Sequence, residues 1–174
     1  MKSLQKFTVR ARVLTCVAAA VVGAGTFGAV SATASAAPKG FTETTHLTVE
    51  SATEAAQAAL AAAKKDGQKV SVSVVDRNGN TVVMLRGDGA GPQSYESAQR
   101  KAFTAVSWNA PTSELVKRLQ QVPNLKDIPG TLFLPGGAPV KAGQAPVAGI
   151  GVAGAPSGDL DEKYAQAGVA ALGH

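Results

Sequence analysis

Leu134-Pro-Gly-Gly-Ala-Pro-Val-Lys-Ala-Gly-Gln-Ala-Pro-Val-Ala-Gly-Ile-Gly-Val-Ala-Gly-Ala-Pro156 sets short apolar runs between glycines and prolines. Such a pattern reads as strands joined by tight turns, and a glycine inside a run marks close approach of another backbone. Strands are expected near residues 131–134, 140–142 and 146–153. An acidic helix start, Asp159-Leu-Asp-Glu162, follows at once, predicting a helix over 159–171 whose first-turn acids complement its dipole. Gly149-Ile-Gly151 lies within a strand and not at a strand-to-helix turn, so it is no dinucleotide fingerprint.

Upstream, Val70, Val72 and Val74 alternate with Ser71 and Ser73, and a second β-branched run begins at Thr81. Asn78-Gly79 between them predicts a hairpin with a type I′ turn, which requires positive φ at both central residues. An alanine-dense segment predicts a helix capped by the Thr48 hydroxyl and stopped at Asp66-Gly67. A middle helix capped by Ser94 is expected to reach about Ser107, with a shorter one capped by Thr112 over 113–121. The order is α-β-β-α-α-β-β-β-α. Hairpin-linked strands with helices outside them predict an α+β fold: a five-stranded antiparallel sheet flanked by helices.

The first 36 residues read separately. Lys2, Lys6, Arg10 and Arg12 precede an apolar run over 13–30 and the small-residue segment Ser31-Ala-Thr-Ala-Ser-Ala-Ala37. This is the pattern of a secretory signal peptide cleaved near Ala36, so the expected location is extracellular. Residues 37–45 then form a flexible lead-in and 46–174 one domain. The whole chain has 17 Lys and Arg against 12 acids. Four of the bases lie in the leader, leaving 13 against 12, so the basic balance implies no nucleic-acid partner. Cys16, the single cysteine, also lies in the leader, so the exported chain would carry no disulfide, thiolate nucleophile or Cys-bound metal.

Few residues suggest chemistry. There is no His-x-x-x-His pair and no Gly-x-Ser-x-Gly elbow, which leaves zinc and serine hydrolase readings without footing. His46 and His174 are either solvated or offer imidazoles to iron or haem. Asp159 and Asp161 either complement a helix dipole or act as hard oxygen donors to a cation. Glu96 can pair with Arg100 four residues on. Thr131 opens an expected strand and is either a β-former or a pocket hydroxyl. Trp108, Tyr95, Phe103 and Phe133 serve as core or as surface for a flat ligand.

Tyr95-Glu-Ser-Ala-Gln-Arg-Lys-Ala-Phe-Thr-Ala105, Phe133-Leu-Pro-Gly-Gly-Ala-Pro-Val140, Val147-Ala-Gly-Ile-Gly-Val-Ala-Gly-Ala-Pro156 and Asp161-Glu162 resemble the GlcG/HbpS family of haem-binding or haem-degrading domains. The resemblance is nearest to its secreted HbpS-type branch in actinobacteria. It implies a profilin-like or PAS-like fold, a homo-oligomer of eight copies, and binding of haem and iron ions outside the cell. It also implies redox sensing with a membrane sensor histidine kinase as partner. By the same resemblance the haem contacts fall on Thr131, His46 and His174. The branch's iron surface is a Glu-x-x-Glu on the middle helix, of which this chain keeps Glu96 but has Gln99, one anionic ligand fewer. Any haem breakdown would be slow and oxidant-driven, since no dedicated acid–base pair is evident. The alternative within the same fold is a corrinoid-binding or enzyme-associated domain of the GlcG/PduO type.

Overall fold

In the computed structural model, which describes residues 39–173, the elements follow in the order α1 (Val49–Lys65), β1 (Ser71–Asp76), β2 (Thr81–Arg86), α2 (Pro92–Trp108), α3 (Thr112–Arg118), a 3-10 turn (Pro123–Asp127), β3 (Gly137–Ala142), β4 (Ala145–Ala153) and α4 (Gly158–Ala171). The proposed leader and His174 lie outside the described residues. Among the described residues no helix is long and apolar enough to cross a membrane.

One antiparallel sheet, in the order β2-β1-β4-β3, organises the fold. Pro139 sits in β3, an edge strand, where a missing N–H breaks no ladder. Period-two alternation sends Val72, Val74, Ile150, Val152, Ala138 and Val140 to one face, where they form the main core with the alanines of α1 and with Tyr164 of α4. The other face carries Ser71, Ser73 and Val75 of β1 beside Gly151 and Gly149 of β4, and α2 lies across it. A Cβ on Gly151 would run into the Ala98 carbonyl of α2, and one on Gly149 into the Ala102 carbonyl. The glycines of the cassette therefore let a helix backbone rest on a sheet backbone.

Helix starts follow their chemistry. Thr48 caps α1, its hydroxyl accepting from Ser51 N–H, and Ser157 caps α4 by accepting from Leu160 N–H. The end of α1 is tied to α4 because the Asp66 carboxylate accepts from Lys163 Nζ (2.8 Å) and Tyr164 Oη (3.0 Å). Those two bonds hold the Asp66 carboxyl below the usual aspartate value.

Four expectations are corrected. The sheet has four strands, not five: residues 131–134 carry no strand pairing. Leu132 N–H there donates to the Thr104 hydroxyl (2.8 Å) and Leu134 N–H to the Leu132 carbonyl, so local and helix partners satisfy a backbone the sheet never reaches. The β1–β2 turn is not type I′: Gly79 has φ +89°, but Asn78 has no positive φ. It is a four-residue connection, residues 77–80, in which the Asp76 carboxylate accepts from Asn78 N–H, Asn80 N–H and the Asn80 amide, an Asx arrangement that substitutes for the second left-handed residue. Ser94 does not cap α2. Gly91 is the N-cap with Pro92 in the first turn, and the Ser94 hydroxyl bonds Gly91 O and Ser71 Oγ. Thr112 does not cap α3, which stops at Arg118; its hydroxyl instead accepts from Gly137 N–H at 2.8 Å.

Candidate functional site

On α2, Glu96, Gln99, Arg100 and Phe103 are spaced i, i+3, i+4 and i+7 and so share one face. That face lines a cleft of about 290 Å³, closed by Gly79 from the β1–β2 turn and Gly130 from the turn before Thr131. The Phe103 ring lies between the two glycines: a Cβ at Gly79 would stand 2.9 Å from ring atom Cε2, and one at Gly130 3.6 Å from Cε1. Both glycines have positive φ, +89° and +79°, so both the space and the backbone favour the absence of a side chain.

The polar rim is loosely held. Glu96 pairs with Arg100 across one helical turn, with both side chains largely in solvent, so the pair contributes little to stability and gives way readily to another partner. Gln99 Nε2 donates to the Thr81 hydroxyl at 3.0 Å, fixing the amide against β2.

The candidate residues from the sequence scatter. Glu96 lines the cleft. Thr131 is buried next to Gly130, and its hydroxyl donates to Ile128 O at 2.7 Å, closing the turn that shapes the cleft wall. His46 is exposed on the lead-in to α1, its Nε2 within 2.7 Å of the Thr44 hydroxyl. Its charge reaches the hairpin: burial would raise the Asp76 carboxyl, but bonds from Asn80 and Asn78, with a smaller pull from His46, bring it below the usual value. His174 lies outside the described residues.

Asp159 and Asp161 part ways. Asp159 is exposed in the first turn of α4. Asp161 is buried, with Oδ2 on Lys101 Nζ at 2.8 Å and Oδ1 accepting from Ala155 N–H at 2.9 Å. Lys101 also donates to Val152 O. Burial raises the Asp161 carboxyl above the usual value, and the Lys101 ammonium offsets that only in part. Both Asp161 oxygens, expected from the sequence as possible cation donors, are thus engaged within the fold. Among the described residues no three His, Cys, Asp or Glu side chains converge as a metal site.

Two structural roles had no clear mark in the sequence. Lys101, a cation in a helix of mixed polarity, is 4% exposed. Glu162 accepts from Ser113 N–H (2.9 Å), the Ser113 and Thr112 hydroxyls, and Gly136 N–H (3.2 Å), joining α3 and the entry to β3 onto α4. An acid early in a helix looks the same in sequence whether it complements a dipole or caps a neighbouring segment.

The family model described as "Haem degrading protein HbpS-like" matches residues 47–170. Among solved structures, a Streptomyces reticuli HbpS double mutant, with two glutamates replaced by aspartates, is 76% identical; the match covers 80% of this chain and 95% of that one, with a TM-score of 0.78. Klebsiella pneumoniae protein ORFY is 26% identical over 76% of this chain and 94% of its own, with a TM-score of 0.71. A PduOC–haem complex is 27% identical over 73% of this chain and 95% of its own, with a TM-score of 0.67. Among curated proteins there is no match.

Proposed function

The chain belongs to the HbpS-like family of haem-degrading proteins, and from that premise we propose that it is an exported haem-binding protein whose ligand engages the cleft beside Phe103. The observation that carries this reading is the Phe103 ring lying between two glycines, an aromatic surface with no side chain in the way of a flat ligand. Arg100 on the rim offers a guanidinium to a propionate once it leaves Glu96. Thr131 directs its proton to Ile128 O, closing the turn that carries the cleft-lining Gly130.

The fit is to one edge of a porphyrin. A cleft of about 290 Å³ lies at the small end of the range that buries most of a cofactor-sized ligand. The remaining surface would be covered by a second copy, in keeping with an assembly of eight. When bound, haem supplies its own redox chemistry. The protein's part is to bind and orient it: among the described residues lining the cleft Glu96 is the one carboxylate, and it is paired with Arg100. Degradation would then be slow and oxidant-driven. The wider role is extracellular haem or redox sensing as accessory to a membrane sensor kinase. Iron ions would bind weakly on α2, because Gln99 bonds Thr81 and brings no charge.

Haemin titrated into the full chain should give a saturable Soret shift that Phe103→Ala weakens by roughly two- to tenfold, as losing an aromatic contact of about 0.5–1.5 kcal/mol implies. No Soret shift in the parent would remove the proposal. The PduOC relative favours a second reading, a corrinoid or another tetrapyrrole in the same cleft; cobalamin competing haemin off the protein would select it.

A further inference from the structure

A second cleft, of about 390 Å³, opens between the end of α1 and the end of β2, with Leu60, Lys64, Lys69, Arg86 and Asp88 in its lining. Three cations face one acid there. Among the described residues neither Lys64 nor Lys69 makes an ion pair. Asp66, the nearest acid on the same helix end, is taken by Lys163 and Tyr164. With Asp88 the one acid lining it, the cleft keeps a net positive charge.

Two of the cations, Arg86 and Lys69, are also placed by their neighbours. Arg86 donates Nε and Nη2 to Ala90 O (3.3 and 2.7 Å), which anchors the guanidinium and leaves three of its five N–H donors. The Lys69 stem lies along Gly89, where a Cβ would be 3.0 Å from Cδ and 3.4 Å from Nζ. Two of the carbonyls at the end of α1 already have partners: Ala63 O accepts from Asp66 and Gln68 N–H, and Lys64 O from Gly67 N–H. Leu60 adds an apolar patch.

We propose that this cleft binds a small phosphate monoester, with the phosphate among Lys64, Lys69 and Arg86 and its organic part against Leu60. A phosphate carries nearly two charges and three acceptor oxygens, which matches an anchored guanidinium and two ammonium groups better than a single carboxylate does. The site is separate from the Phe103 cleft and shares no lining residue with it, so either assignment can fail without the other.

Calorimetric titration of the full chain with phenyl phosphate at low salt tests it. One saturable site per protomer is expected, with benzoate and inorganic phosphate each weaker by about tenfold, through loss of one charge or of the apolar part. Lys64→Gln/Lys69→Gln should weaken phenyl phosphate by about tenfold or more, and Asp88→Asn should tighten it by roughly two- to fivefold. All three side chains are exposed, so the fold is retained, and haemin binding should be unchanged in both variants. Absence of phenyl phosphate binding, an unchanged affinity in the double variant, or equal binding of benzoate or inorganic phosphate would overturn the assignment.

Discussion

The two faces of the sheet are built on opposite principles. Toward α1 and α4, Val72, Val74, Val140, Ile150, Val152 and Tyr164 are fully buried and fill space with side chains. Toward α2, Gly149, Gly151, Ser71 and Ser73 leave space unfilled, and helix and strand backbones meet directly. The first face draws stability from apolar volume removed from water. The second draws it from the close approach that small residues permit. One is hurt by truncation, the other by any addition.

The largest effect should come from Gly151→Val, which drives a branched side chain into the Ala98 carbonyl. Backbone cannot rotate aside, so a loss of about 5 kcal/mol or more is expected, read as loss of the cooperative urea transition. A transition near the parent's would break the comparison. Next is Asp161→Ala, which strands Lys101 in the seam between α2, β4 and α4 and should cost about 3–5 kcal/mol. Lys101→Met/Asp161→Leu should recover most of that loss, and urea denaturation of single and double variants measures the coupling. At the small end, Ser73→Ala on the α2 face should be neutral or stabilising by up to about 1 kcal/mol. The Ser73 hydroxyl is fully buried with no hydrogen-bond partner among the described residues, so removing it relieves a desolvated group. A clear loss in thermal melting would show that the face needs the hydroxyl.

Much of the frame was legible. The Thr48 cap, the alternation from Val70, the break at Asn78-Gly79 and the acids at the start of α4 are local signals, and the elements stand where they point. The glycines inside 146–153 marked a close backbone approach, and α2 makes it. The candidate site was less legible. Glu96 and Phe103 belong to one helix face, so their proximity follows from spacing. Their closure by Gly79 and Gly130, about 50 residues apart in sequence, does not. Residues 131–134 have strand composition, yet their N–H groups found Thr104 and a local carbonyl first.

By itself the sequence determined the α+β class, the chain order of the helices, the approximate places of β1, β2, β3 and β4, the capping of α1 and the family. Those rest on periodicity, turn chemistry and wording, which neighbours along the chain decide. Only the tertiary structure decided that Asp159 faces water while Asp161 neutralises a buried lysine, that Thr112 serves β3 instead of its own helix, and that a fifth strand is absent. Each depends on which hydrogen-bond or charge partner arrives from a distant segment, because a polar group leaving water takes the partner that packing brings to it.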